Sequence, residues 1–135
     1  MRLWHHDLLP YLPRSQLLAQ WRELNSIYAK EDQHVLINYV YEYPKSELYR
    51  YSQLVLDEMK RRGFVIRSWD KYHAYFADVT AESDNQNPVF AKHHDDVYLT
   101  ICYFNLYEKY LRGQKDYPET LFLRLEHFYT QKTSQ

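Results

Sequence analysis

Arg22-Glu23-Leu24 is set in an amphipathic helix some twenty residues after a chain start that reads Met1-Arg2-Leu3-Trp4. A free α-amine near a carboxylate and two arginines is a reagent set for amine-nucleophile chemistry. An α-amino group titrates near about 7.7–8.0, against about 10.4 for lysine, so a useful fraction is unprotonated at neutral pH. Attack of such an amine on the anomeric carbon of a sugar forms a covalent imine. A neighbouring carboxylate stabilises the developing positive charge, then moves protons during ring opening and elimination. Met1 and Glu23 are the candidate catalytic pair, and Arg2 and Arg22 are candidate anion contacts. The competing reading is that Arg22 and Glu23 belong to a solvated helix face, because charge pairs on helices are common.

Two further clusters carry chemistry-competent side chains: His5-His6-Asp7 and His93-His94-Asp95-Asp96. Imidazole with carboxylate suits zinc or iron. Adjacent residues on a helix or strand do not face one metal together, so at most one histidine of each pair is expected to coordinate. No spaced His-x-x-Glu-His type motif is present. The expectation is therefore no metal, with the histidines as polar loop residues and Asp95 as a helix cap. His5 or His93 near the amine is the alternative use, as proton carrier or phosphate donor, because histidine titrates near neutrality. Arg2, Arg14, Arg22, Lys60, Arg61, Arg62, Lys109 and Arg112 either line one phosphate groove or lie dispersed over the surface. The aromatic runs from Tyr39 to Tyr43 and from Tyr72 to Phe76 are base-stacking platforms or core.

Composition narrows the class. A chain of 135 residues fits one domain, 1–135, with a real core. Only 2 glycines against 15 tyrosines favour helices with modest connections over a many-turned β architecture. The single cysteine, Cys102, excludes an intrachain disulfide and a multi-thiolate metal site, and reads as a buried, inert thiol. No apolar run approaches the roughly 18 residues of a membrane span. His5, His6 and Asp7 interrupt any signal-peptide pattern, so the expected location is cytoplasmic, with no membrane partner and no obligate protein partner. A formal net charge of −1 counts against a strongly basic nucleic-acid binder, although a local basic face coexists with a neutral total.

The elements that must position these groups read as an all-α domain: about four helices behind an ordered N-terminal arm. The arm, residues 1–13, holds Pro10 and Pro13. The first helix is expected from Arg14 or Ser15, with Ser15 as N-cap. Leu17, Trp21, Leu24 and Tyr28 form its apolar stripe and leave Glu23 off the core side. Residues 34–43 read as a short helix or extended connection. A second helix follows Pro44, capped by Ser46 and buried through Leu48, Tyr51, Val55 and Met59, with Gly63 as its left-handed stop. Residues 64–92 read as irregular, with a polar surface loop from Ala81 to Pro88. A broadly apolar helix from His94–Asp96 to Arg112, carrying Val97, Ile101 and Phe104 with the neighbouring Tyr98, Cys102 and Leu106, is expected to be central. Pro118-Glu119 opens a last helix carrying Leu121, Leu125 and Phe128.

Four stretches in order resemble the phage-type pyrimidine-dimer DNA glycosylases with abasic-site lyase activity. They are Met1-Arg2-Leu3, Trp21-Arg22-Glu23-Leu24, Arg61-Arg62-Gly63-Phe64-Val65-Ile66 and Leu106-Tyr107-Glu108-Lys109. The chain is also similar to a bacterial branch of that family beginning Met-Arg-Leu-Trp-His. The resemblance implies a small all-helical repair enzyme without a cofactor that acts on damaged double-stranded DNA. It implies Glu23 as catalytic glutamate, Arg2 and Arg22 at the DNA near a flipped nucleotide, and Lys109 at a phosphate. The Met1 amine then takes the place of the family's threonine amine. Ser26 and Asn105 stand where the family carries basic residues. Two other classes stay open: a DNA-binding or interaction module of this fold without catalysis, and a metal-dependent hydrolase built on His5, His93 and acidic neighbours.

Overall fold

A computed structural model describes residues 1–79 and 87–134. Every regular element among them is helical, as the composition predicts. The order is a 3-10 turn His6–Tyr11, α1 Arg14–Lys30, a 3-10 turn Asn38–Glu42, α2 Lys45–Arg61, α3 Asp70–Tyr75, α4 Asp96–Leu111 and α5 Glu119–Thr133. The polar loop expected at 81–88 falls almost wholly outside the described residues. The stretch 64–92 is not irregular throughout, because α3 lies within it. Its aromatic residues pack Tyr72 and Phe76 edge-on against Tyr28 of α1, which ties a six-residue helix to the core.

Helix starts differ from the expected serine caps for a physical reason. Pro13, Pro44 and Pro118 are the N-caps of α1, α2 and α5, each extended and each without a side-chain cap. Their carbonyls accept the first amides of the helix, as Gln16 N and Leu17 N show on Pro13 O at 3.0 and 3.1 Å. Ser15 and Ser46 thus sit one turn position inside. The Ser15 amide, still an orphan donor of the first turn, is taken by Asp116 Oδ2 at 2.6 Å from the α4–α5 connection. Asp95 caps α4 as expected, accepting from Tyr98 N at 2.9 Å. Gly63 has φ 81° and ends α2, with Phe64 N donating to Met59 O at 2.9 Å in the six-to-one bond of a Schellman motif.

The expected stripe of α2 is buried, from Leu48 to Met59, and so are Leu17, Leu24 and Tyr28 of α1. The reading of α4 holds in part: of the apolar residues expected on it, Cys102 and Leu106 are buried and Tyr98 is half-buried, but the other three are not. Val97, Ile101 and Phe104 are 69%, 45% and 54% exposed, whereas Leu99, Cys102, Tyr103 and Leu106 are buried. A helix apolar on most sides carries no period that says which side is core. Nor is α4 the hub. The His6–Tyr11 turn packs against α2, α4 and α5, with Leu3, Leu8 and Leu12 fully buried. The ordered N-terminal arm thus threads the interior through these leucines.

Candidate active site

Residues 1–5 have no helical or strand partners, so their backbone polar groups need satisfaction from elsewhere. Gln20 supplies it. Its side chain is fully buried on α1, between Leu17 and Leu24. Its Oε1 accepts from Trp4 N at 2.8 Å, and its Nε2 donates to Arg2 O at 3.0 Å. The Tyr51 hydroxyl of α2 donates to Trp4 O at 2.6 Å and lies 2.9 Å from Gln20 Oε1. The Tyr98 hydroxyl of α4 donates to Leu3 O at 2.6 Å. Three helices thus hold residues 2–4 by side-chain hydrogen bonds alone.

Glu23 stands one turn beyond Gln20 and accepts from Gln20 Nε2 at its Oε2, 3.1 Å away. It is half-buried. Burial pushes its carboxyl above the usual glutamate range, against the opposing pull of the Met1 amine and the Arg22 guanidinium. The amine and the carboxylate thus influence one another electrostatically. Met1 is 40% exposed, open to a substrate. Arg2 lies with its guanidinium 5.9 Å from the Trp4 ring centroid and interacts with the Tyr98 hydroxyl. Arg22 is exposed beside Glu23.

The other anticipated residues lie apart from this group. His93 donates or accepts at Tyr43 Oη, 2.6 Å from its Nδ1, and stacks on Tyr39 at 4.8 Å. Lys109 sits about three turns along α4 from Tyr98. His5 is buried at the base of the arm. Burial and the neighbouring His6 bring its pKa down to about 4, so it is a neutral imidazole at neutral pH. His94, not His93, faces it, with ring centroids 5.5 Å apart. Burial, then His5 and His6, bring His94 to about 2. The expectation of polar loop histidines is corrected here: His5 and His94 are only 3% and 4% exposed. The two adjacent side chains of His5 and His6 nonetheless lie on one side. His5 and His6 stack at 4.4 Å, and ligand atoms of His5, His6 and Asp7 all lie within 4.8 Å of one another. An extended-to-3-10 junction, unlike a regular strand, turns successive side chains to one side.

Gln20, Tyr51, Tyr98 and His94 were not singled out from the sequence as site residues. Gln20 carried one usable signal. A glutamine three residues after Leu17 and four before Leu24 lies on the apolar face and needs partners once buried. The tyrosine run at 72–76 packs in the core with Tyr28 and Tyr49. Trp21 meets Tyr28, Trp69 and Tyr72 on the side of α1 away from Glu23.

A family model described as pyrimidine dimer DNA glycosylase matches residues 1–72, the stretch that includes the arm, α1 and α2 and ends inside α3. Searches of curated proteins and of solved structures return no match. With more than half of its length matched, and with Met1, Arg2, Gln20, Arg22, Glu23 and Tyr51 all inside the matched stretch, the chain belongs to the pyrimidine dimer DNA glycosylase family.

Proposed function

We propose that this protein excises a damaged pyrimidine, a cyclobutane dimer in the first instance, from double-stranded DNA and then cleaves the abasic site as a lyase. The unprotonated Met1 amine attacks C1′ of the damaged nucleotide. The C1′–N1 bond breaks, and the base leaves with its electron pair and takes up a proton. Loss of one amine proton and opening of the sugar ring give a protonated imine, which keeps the amine's other hydrogen. Glu23 stabilises the cationic sugar, passes a proton to the ring oxygen, and then removes a proton from C2′. The 3′ phosphate leaves by β-elimination, and water hydrolyses the imine to regenerate the amine. No cofactor enters the balance. Arg2 and Arg22 contact phosphates near the extruded nucleotide, and Lys109 serves a more distant one. Extrusion costs least at a damaged, poorly stacked step, which contributes to selectivity.

The observation that carries this reading is the Gln20 clamp: residues 2–4 are fastened to the helix that bears Glu23, and Glu23 feels the Met1 amine. A burial-raised carboxyl is suited to taking and giving protons near neutrality. The test is borohydride trapping on a duplex with one abasic site. Wild-type protein should give a covalent adduct, the N-acetylated form none, and Glu23→Gln strand cleavage reduced by at least about 100-fold with DNA binding retained. Trapping that survives acetylation would move the nucleophile to a lysine. No adduct from folded protein with a free N-terminus would leave a DNA-binding module without this catalysis.

A further inference from the structure

The His5-His6-Asp7 cluster is not used by the chemistry above, and its construction is unlike a solvated loop. We infer that it is a binding site for a late first-row divalent cation of the zinc class, placed where the N-terminal arm enters the His6–Tyr11 turn. His6 Nε2 lies 3.4 Å from Asp7 Oδ1, and His5 Nδ1 lies 4.0 Å from Asp7 Oδ2. Around a tetrahedral zinc with bonds of about 2.0–2.1 Å, neighbouring ligand atoms stand about 3.3 Å apart. Small side-chain rotations close the difference. Two imidazole nitrogens and one carboxylate oxygen favour zinc, cobalt, nickel or copper over magnesium or calcium, which take mainly oxygen.

A second observation points the same way. His6 Nδ1 and His94 Nδ1 are buried and have no hydrogen-bond partner, and His94 is only 4% exposed. Their rings are parallel within 2°, with centroids 5.8 Å apart, and both stack on His5. Buried polar atoms without partners are uncommon and call for an explanation, and these two lie in the ring stack around the cluster. The opposite nitrogen of His94 is held 2.6 Å from the Tyr39 hydroxyl, the kind of outer contact that fixes the orientation of a ligating or near-ligating imidazole. Two features oppose binding. His5 Nδ1 already accepts from Asp7 N at 3.1 Å, so a cation displaces one neutral hydrogen bond. Lys132 and Arg50 also place positive charge near His6, which Asp7 offsets.

Because the three ligands are consecutive and follow Trp4, an occupied site stiffens the junction on which residues 1–4 hang. The assignment is independent of the proposed DNA chemistry and is read without DNA. Metal-free full-length protein is titrated with Co2+, followed by visible absorption and by equilibrium dialysis with elemental analysis. The expected result is one cation per chain and a d–d spectrum of an N/O site. His6→Ala or Asp7→Asn should weaken binding by at least tenfold. The partly exposed Asp7 keeps the test decisive if His6→Ala fails to fold. Zn2+ should displace the Co2+ and raise the melting temperature of wild type but not of Asp7→Asn. Binding that is absent, or that is unchanged in Asp7→Asn, would overturn the assignment and leave the cluster as packing.

Discussion

Gln20 and Glu23 lie one turn apart on α1, and the amide nitrogen of the first donates to Oε2 of the second at 3.1 Å. The same nitrogen donates to Arg2 O, and the amide oxygen accepts from Trp4 N. One buried side chain thus sets the position of the arm and of the carboxylate together. In the proposed chemistry Gln20 touches no reacting atom and acts as a positioning residue.

Gln20→Leu keeps the volume and removes these bonds. It leaves the buried Trp4 amide without its partner and takes one contact from Tyr51. A cost of about 2–4 kcal/mol follows, measurable by urea denaturation. Borohydride trapping, run well below the melting temperature, should fall at least tenfold while the far-ultraviolet helix signal is retained. Trapping at the wild-type level in Gln20→Leu would show that the clamp does not place the amine.

Glu23 is retained at a cost to stability. Its carboxyl is raised on folding, so the folded state prefers it protonated. That preference is fully present below the unfolded glutamate value and is lost as pH rises through the raised folded value. Glu23→Gln mimics the protonated form and escapes that loss. The variant should gain melting temperature relative to wild type as pH rises from below about 4 to 7, even as it loses strand cleavage. A difference that does not change with pH would refute the burial effect.

Glu58 behaves in the opposite sense. Burial alone would raise it, but hydrogen bonds from Arg61 and Arg62 outweigh burial and hold it below the usual range. Arg62 extends the link by donating to Leu9 O and Pro10 O at 3.3 and 3.1 Å, tying the end of α2 to the N-terminal turn. The stability from Glu58 is present above the unfolded carboxylate value and lost as pH falls through the lowered folded one. Glu58→Gln should cost about 2 kcal/mol near neutrality, a penalty that shrinks in acid. Thermal melts across pH 3–7 check it.

Phe104 is 54% exposed on the outer face of α4. Phe104→Ser should therefore change stability by no more than about 0.5 kcal/mol, whereas Leu106→Ala, fully buried one turn position away, should cost about 2–5 kcal/mol. Comparable losses at both would mean that the outer face is covered in solution.

Where each residue has one strong preference, the sequence was enough. The α2 stripe, Gly63 as its stop, Asp95 as a cap and the all-helical class all follow from local rules and appear in the structure. Local rules failed where a partner arrives from far along the chain. Asp116 takes the Ser15 amide from a hundred residues away, and a proline carbonyl does the work expected of the serine hydroxyl. The buried side of α4 was undecidable because nearly every side is apolar. At the candidate site, Met1 and Glu23 could be nominated from their chemistry, as the proposed pair. Gln20 could not, because a glutamine announces burial only through the helix face it shares with leucines.

The hydroxyls of Tyr51 and Tyr98 and the amide of Gln20 give residues 2–4 what a neighbouring strand would give elsewhere: fixed partners for the Trp4 amide and for all three carbonyls, from elements far apart in sequence. Protection from solvent deuterium should follow the partners and not the local secondary structure. The Trp4 amide, in a segment with no regular element, should then exchange on the timescale of global unfolding, as slowly as amides in the middle of α2, so that the start of this chain opens only when the whole fold does.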